Sequence, residues 1–232
     1  MRATLFVAGL LAALAGPGAA EAPCRLALVL GLDVSSSVNA REYRIQLGGL
    51  VRAFRTAEVQ RAILSPAGTS IAILAFEWSG ADHQRLIVPW TRLADRTGIE
   101  AFADRLAGHR RTADDGSTAV GEALKFAARS FAAAPPCGAR TVDLSGDGET
   151  NEGPHPEVYR AAGLFDGLTI NGLAVQGAYP NPGLYYRRQV MQGPDAFVAL
   201  ARDFDDYPSV IVGKLLRELD VGLVVGHAKA GR

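Results

Sequence analysis

Two hydrophobic patterns alternate along this chain. A continuous apolar run occupies residues 26–32, and further strand-like stretches occupy 69–78, 140–145, 168–175 and 196–201. Runs of this kind read as strands buried on both faces, the habit of parallel sheets. Between them, apolar residues recur at helical spacing. Residues 39–54 carry Tyr43, Leu47, Leu50, Val51 and Phe54 on one face, with Asn39 placed to cap the helix start. The same spacing predicts helices over residues 58–64, 99–106, 118–131, 156–165, 184–192 and 207–219. Residues 83–90 form a further strand, separated from 69–78 by the four turn residues 79–82, so the two predict an antiparallel hairpin. Residues 132–138, with two prolines, and 176–183 read as connections. No internal repeat or domain boundary interrupts the alternation. One α/β domain is expected.

The polar residues that end these strands carry the chemistry. Asp33-Val34-Ser35-Ser36-Ser37 follows the first run directly. Ligands of open parallel sheets bind at the carboxyl ends of the strands. A carboxylate and two hydroxyls at alternate positions offer only oxygen, which suits a hard divalent cation. The same residue types also cap helices, so these five residues alone are equally a helix N-cap. Two other segments extend the oxygen set. Thr118 precedes a helix, and Asp147, flanked by Gly146 and Gly148, projects from the end of the strand at 140–145. Asp33, Ser35, Ser37, Thr118 and Asp147 are thus five candidate metal ligands on three loops.

This constellation resembles the metal-ion-dependent adhesion site (MIDAS) of von Willebrand factor type A domains. There a D-x-S-x-S follows the first strand, a Thr precedes a central helix, and an Asp follows the fourth strand. All five positions are matched in order. Trp78, Trp90-Thr91, Ser145-Gly146-Asp147-Gly148 with Asn151, Ile170-Asn171-Gly172-Leu173, Tyr185-Tyr186 and Gly193-Pro194-Asp195-Ala196-Phe197 are similar to a secreted bacterial branch of such domains. The resemblance implies a doubly wound, Rossmann-like, mostly parallel six-stranded sheet with an antiparallel edge strand and helices on both faces. It implies one cation, Mg²⁺ or else Mn²⁺ or Ca²⁺. Ser35, Ser37 and Thr118 would bind it directly, and Asp33 and Asp147 largely through water. One position would stay open for a carboxylate from a partner protein or other ligand.

That topology makes the strands ending at Asp33 and Asp147 neighbours. Cys24 lies nine residues before the first acid and Cys137 ten before the second. Parallel neighbours lie ~4.8 Å apart, so a Cys24–Cys137 disulfide is expected in an exported chain. Export is itself predicted from the start of the chain. Arg2, an apolar stretch over residues 3–15, and small residues at Ala20 and Ala22 read as a signal peptide over 1–22, cleaved after one of those alanines. Residues 23–225 would form the domain and 226–232 a flexible tail, in the periplasm or secreted. No later stretch approaches ~20 uncharged apolar residues, so no transmembrane segment is expected after cleavage.

Charge narrows the partners. Lysine plus arginine number 24 and aspartate plus glutamate 24, which leaves no electrostatic case for nucleic acid or an anionic membrane. Basic pairs such as Arg110-Arg111 read as solvated faces. Enzyme chemistry finds little support. Ser35 stands where a haloacid-dehalogenase-like phosphatase needs its second Asp, no G-x-S-x-G elbow surrounds any serine, and the four histidines lack metal-ligand spacing. Asp114 and Asp115, or Glu149, Asn151 and Glu152, would serve as outer residues of the site, or simply solvate their loops. The expected function is non-enzymatic, a divalent-metal-dependent protein or ligand binding module of the bacterial envelope. The alternatives are an accessory subunit of an envelope transport or secretion complex, and a metal-dependent hydrolase or phosphatase.

Overall fold

In a computed structural model of the chain, residues 22–112 and 116–228 are described, with side chains through Asp220. Residues 1–21 of the predicted signal peptide, Asp114 and Asp115, and the end of the predicted tail lie outside the described residues. Six strands form one sheet in the order β3-β2-β1-β4-β5-β6. They are β1 Cys24–Asp33, β2 Ser70–Trp78, β3 Gln84–Leu93, β4 Cys137–Gly146, β5 Thr169–Val175 and β6 Val198–Ala201. Every pairing is parallel except β2 with β3, the antiparallel edge hairpin.

Strand alternation divides the core in two. Leu26, Leu28, Leu30 and Leu32 of β1 pack against α1 (Ala40–Arg55), α2 (Ala57–Ile63), α3 (Arg96–Ala107) and α7 (Tyr207–Ala228). Ala27 and Val29 face the other way, onto α4 (Val120–Ser130) and the Tyr185-Tyr186 segment. Asn39 caps α1 as expected. Its side chain accepts from the Arg41 and Glu42 amides, and Glu42 accepts from the Asn39 amide at 2.8 Å.

Several boundaries differ from the sequence reading. β4 begins at Cys137 and not at 140, because pairing with β1 extends it beyond its apolar stretch. α5 (Pro156–Ala161) stops short of 165, where Gly163 adopts a φ of +73° that no helix continues. The segment read as one helix over 184–192 is a short α6 (Pro182–Tyr185), capped by Asn181, followed by a wider π turn over Tyr186–Val190. α7 runs past Leu219 to Ala228. There the buried Arg25 donates to the Leu219 carbonyl at 2.8 Å and to Ala62 of α2 at 2.6 Å, joining both helices to the start of β1.

Cys24 and Cys137 sit opposite each other in the β1–β4 register and form a disulfide, with their Cα atoms 4.5 Å apart. Among the described residues no helix is long and apolar enough to cross a membrane.

Candidate metal centre

The five predicted oxygen ligands lie at one edge of the sheet, on the loops leaving β1 and β4 and the loop entering α4. Ser35 Oγ is 3.1 Å from Ser37 Oγ, and Ser37 Oγ donates to Asp147 Oδ1 at 2.6 Å. The Ser35 amide donates to Asp33 Oδ1 at 2.8 Å. Thr118 sits against Gly148, the residue after Asp147. Ser36 of the first loop donates to the Gly116 carbonyl at 2.8 Å, which ties the β1 loop to the segment carrying Thr118.

Asp33 is fully buried, not a carboxylate at the protein surface, and its Oδ2 has no hydrogen-bond partner. Burial, and after it the charge of Asp147, pushes its carboxyl up to about 7. Asp147 is raised too, by burial and then by Glu42. Two buried acids with raised carboxyls, one of them raised partly by the other, form an environment short of positive charge. Gly146 lets the cluster close. A Cβ there would lie 2.3 Å from Tyr186 Oη and 2.7 Å from Asp33 Oδ2, so only glycine admits both groups. Oxygen-only donors, crowded acids and an unpartnered buried carboxylate oxygen fit a hard divalent cation.

The supports of this edge come from residues distant in sequence. Gln46 of α1 donates to the Asp33 carbonyl at 3.0 Å. Arg111, read from sequence as part of a solvated pair, is half-buried and donates to the carbonyls of Val34 at 2.8 Å, Ser35 at 3.3 Å and Val38 at 2.5 Å. It holds the backbone of the Asp33–Ser37 loop, which local charge pattern could not disclose. Asn151 fixes Thr118 from both sides. Its Oδ1 accepts from the Thr118 amide, and its own amide donates to the Thr118 carbonyl, each at 2.8 Å. Glu152 accepts from the Ala81 amide at 2.9 Å. Asn151 and Glu152 therefore act as loop latches.

Glu77, at the end of β2, was not singled out by its sequence. It is fully buried and accepts from His83 Nε2 at 3.0 Å, His109 Nε2 at 2.8 Å, and both the amide and hydroxyl of Thr112. Burial pushes this carboxyl up, but the bonds from Thr112, His109 and His83 outweigh it and hold it below its ordinary value. The hub pins the α3–α4 connection to the sheet. Tyr186 is fully buried against Gly172, and Tyr185 donates to Thr150 Oγ1 at 2.7 Å, so both pack the α6 region onto the sheet. His155 is exposed at the start of α5.

Solved structures share this architecture at low sequence identity. Proximal thread matrix protein 1 from the mussel byssus, described with a zinc-occupied MIDAS motif, aligns with a TM-score of 0.57 at 16% identity, over 86% of this chain and 49% of that one. A von Willebrand factor type A protein from Catenulispora acidiphila gives 0.59 at 17%, over 85% and 42%. The pilus adhesin SpaC from Lactobacillus rhamnosus GG gives 0.58 at 13%, over 85% and 30%. The chain thus spans half or less of the length of these structures. No curated protein matches its sequence. A family model described as protein of unknown function (DUF1194) matches residues 23–222, so the chain belongs to that family, here with a von Willebrand factor type A-like fold.

Proposed function

We propose that this chain is a metal-dependent protein-binding module of the bacterial cell envelope, its cation held by Asp33, Ser35, Ser37, Thr118 and Asp147. The observation that carries the reading is the bonded Ser35–Ser37–Asp147 oxygen cluster beside a buried Asp33 whose Oδ2 is unpartnered. Mg²⁺ is the cation of first choice, with Mn²⁺ and Ca²⁺ as substitutes. Neutral hydroxyls as direct ligands leave a dication under-neutralised, so a carboxylate from a partner protein would complete its coordination. Similarity to a pilus adhesin and to a matrix protein described with a metal-occupied MIDAS supports a binding role over turnover. The Cys24–Cys137 disulfide supports a periplasmic or secreted location.

Affinity capture from envelope extract tests this reading. Proteins retained by the immobilised domain in Mg²⁺ should fall at least tenfold in EDTA. Thr118→Ala should cause the same loss while the domain stays folded, because the Asn151 clamp holds the Thr118 backbone and not its hydroxyl. Capture that ignores both EDTA and Thr118→Ala would place the contact surface elsewhere.

A further inference from the structure

A groove of about 690 Å³ runs between α1 and the end of α3 with the loop after it. One wall is Ala40, Tyr43, Arg44, Leu47, Gly48 and Val51 of α1. The other is Ala107, His109, Arg110 and Arg111. Its volume lies in the range of small-molecule sites, roughly 300–1,000 Å³.

Three features of this groove point to one ligand chemistry. The first is an unsatisfied donor. Tyr43 is 5% exposed and lines the groove, yet its hydroxyl has no hydrogen-bond partner. A buried hydroxyl without a partner is destabilising, and an acceptor that reached it from the groove would remove that cost. The second is charge. Among the described residues, Arg44 and Arg110 are exposed on opposite walls with no ion pair, and no acidic side chain lines the groove. His109 is engaged with Glu77, and Arg111 with three backbone carbonyls, so both are fixed parts of the wall.

The third feature is Gly48. Glycine inside a helix is destabilising relative to alanine. At the adjacent Gly49 the reason is packing, because a Cβ would lie 3.2 Å from Pro208 and Tyr207 of α7. At Gly48 a Cβ would meet only the tip of Arg52 at 3.4 Å. Packing therefore does not demand this glycine. A side chain there would enter the groove, whose apolar surface is supplied by Leu47, Val51 and Ala107.

We infer that the α1–α3 groove binds a small organic anion with an apolar body. Its carboxylate or phosphate oxygen accepts from Tyr43 and pairs with Arg44 and Arg110, and its hydrocarbon part lies over Leu47 and Val51. None of these residues is a candidate metal ligand, although Arg111 of the same wall also holds the backbone of the Asp33–Ser37 loop.

Titration calorimetry on the disulfide-bonded domain with octanoate, octyl phosphate and octanol tests the inference. At least one of the two anions should bind at one site, at least tenfold more tightly than octanol, equally in Mg²⁺ and in EDTA. The tighter of the two identifies the headgroup. Gly48→Leu, which also raises helix propensity, should abolish binding with no loss of thermal stability. Arg44→Ser with Arg110→Ser should weaken binding at least tenfold, and Tyr43→Phe severalfold. The inference is overturned if octanol binds as well as both anions, if neither anion binds, or if the arginine pair and Gly48→Leu both leave affinity unchanged.

Discussion

Replacing Cys24 and Cys137 by alanine together will lower the unfolding free energy by about 4–5 kcal/mol, the largest single effect expected in this domain. The bridge joins residues 113 apart in sequence, so it closes a loop containing β2, β3 and four helices. In the unfolded chain that closure removes conformational freedom in proportion to the logarithm of loop length. In the native state the bridge asks little of the backbone, because the two cysteines are already register partners on neighbouring strands. Urea unfolding of oxidised wild type and the double alanine variant should show a large fall in midpoint. A difference below about 1 kcal/mol would mean that the strand register alone sets the stability of this end of the sheet.

Lys214→Met should cost about 3–5 kcal/mol at pH 8, the range for breaking a buried ion pair. The Lys214 ammonium is fully buried between Asp143 at 2.6 Å and Glu218 at 2.5 Å. Asn171 donates to Glu218 at 2.9 Å and accepts from the Phe197 amide at 3.1 Å, which links α7 to β5 and β6. Methionine would fill the space but leave two carboxylates facing each other. Burial, and then the Asp143 charge, pushes Glu218 up to about 7 from an ordinary 4.5. The native state therefore holds this proton more tightly than the unfolded chain. Its stabilising effect is complete below about pH 4.5 and is lost as pH rises through about 7. Wild type should lose about 3 kcal/mol across that window from this group. Asp33 shifts in the same direction, so the readout is the difference between wild type and Glu218→Gln. The variant should have the flatter pH profile and the higher midpoint at pH 8. Parallel profiles, or a Lys214→Met variant as stable as wild type, would contradict this account of the cluster.

The sheet was legible where burial on both faces made runs apolar, as in β1 and β2. It was less legible at the start of β4, where Cys137-Gly138-Ala139 carries no apolar run and only pairing with β1 makes a strand. The candidate ligands were legible because each lies in a short local pattern at a strand end or helix start. Their supports were not. Arg111 reaches carbonyls 73 to 77 residues away, and Glu77 collects donors from Thr112 and His109 over 30 residues downstream. A charged pair in a loop reads as solvated unless the backbone it serves is known. Lys214 and Glu218 are spaced like any exposed i,i+4 pair, and only the placement of Asp143 on β4 makes them a buried cluster.

In the proposed centre, Asp33 and Asp147 with the three hydroxyls hold a divalent cation. Isothermal titration of the purified domain with MgCl₂ and MnCl₂ tests it most directly. Wild type should bind about one ion per chain, and Asp33→Ala and Asp147→Ala should each abolish the signal. Asp33→Ala should unfold at or above the wild-type temperature in EDTA, because it removes a buried carboxylate whose Oδ2 is unpartnered. No binding by wild type, or unchanged binding in both variants, would contradict the assignment.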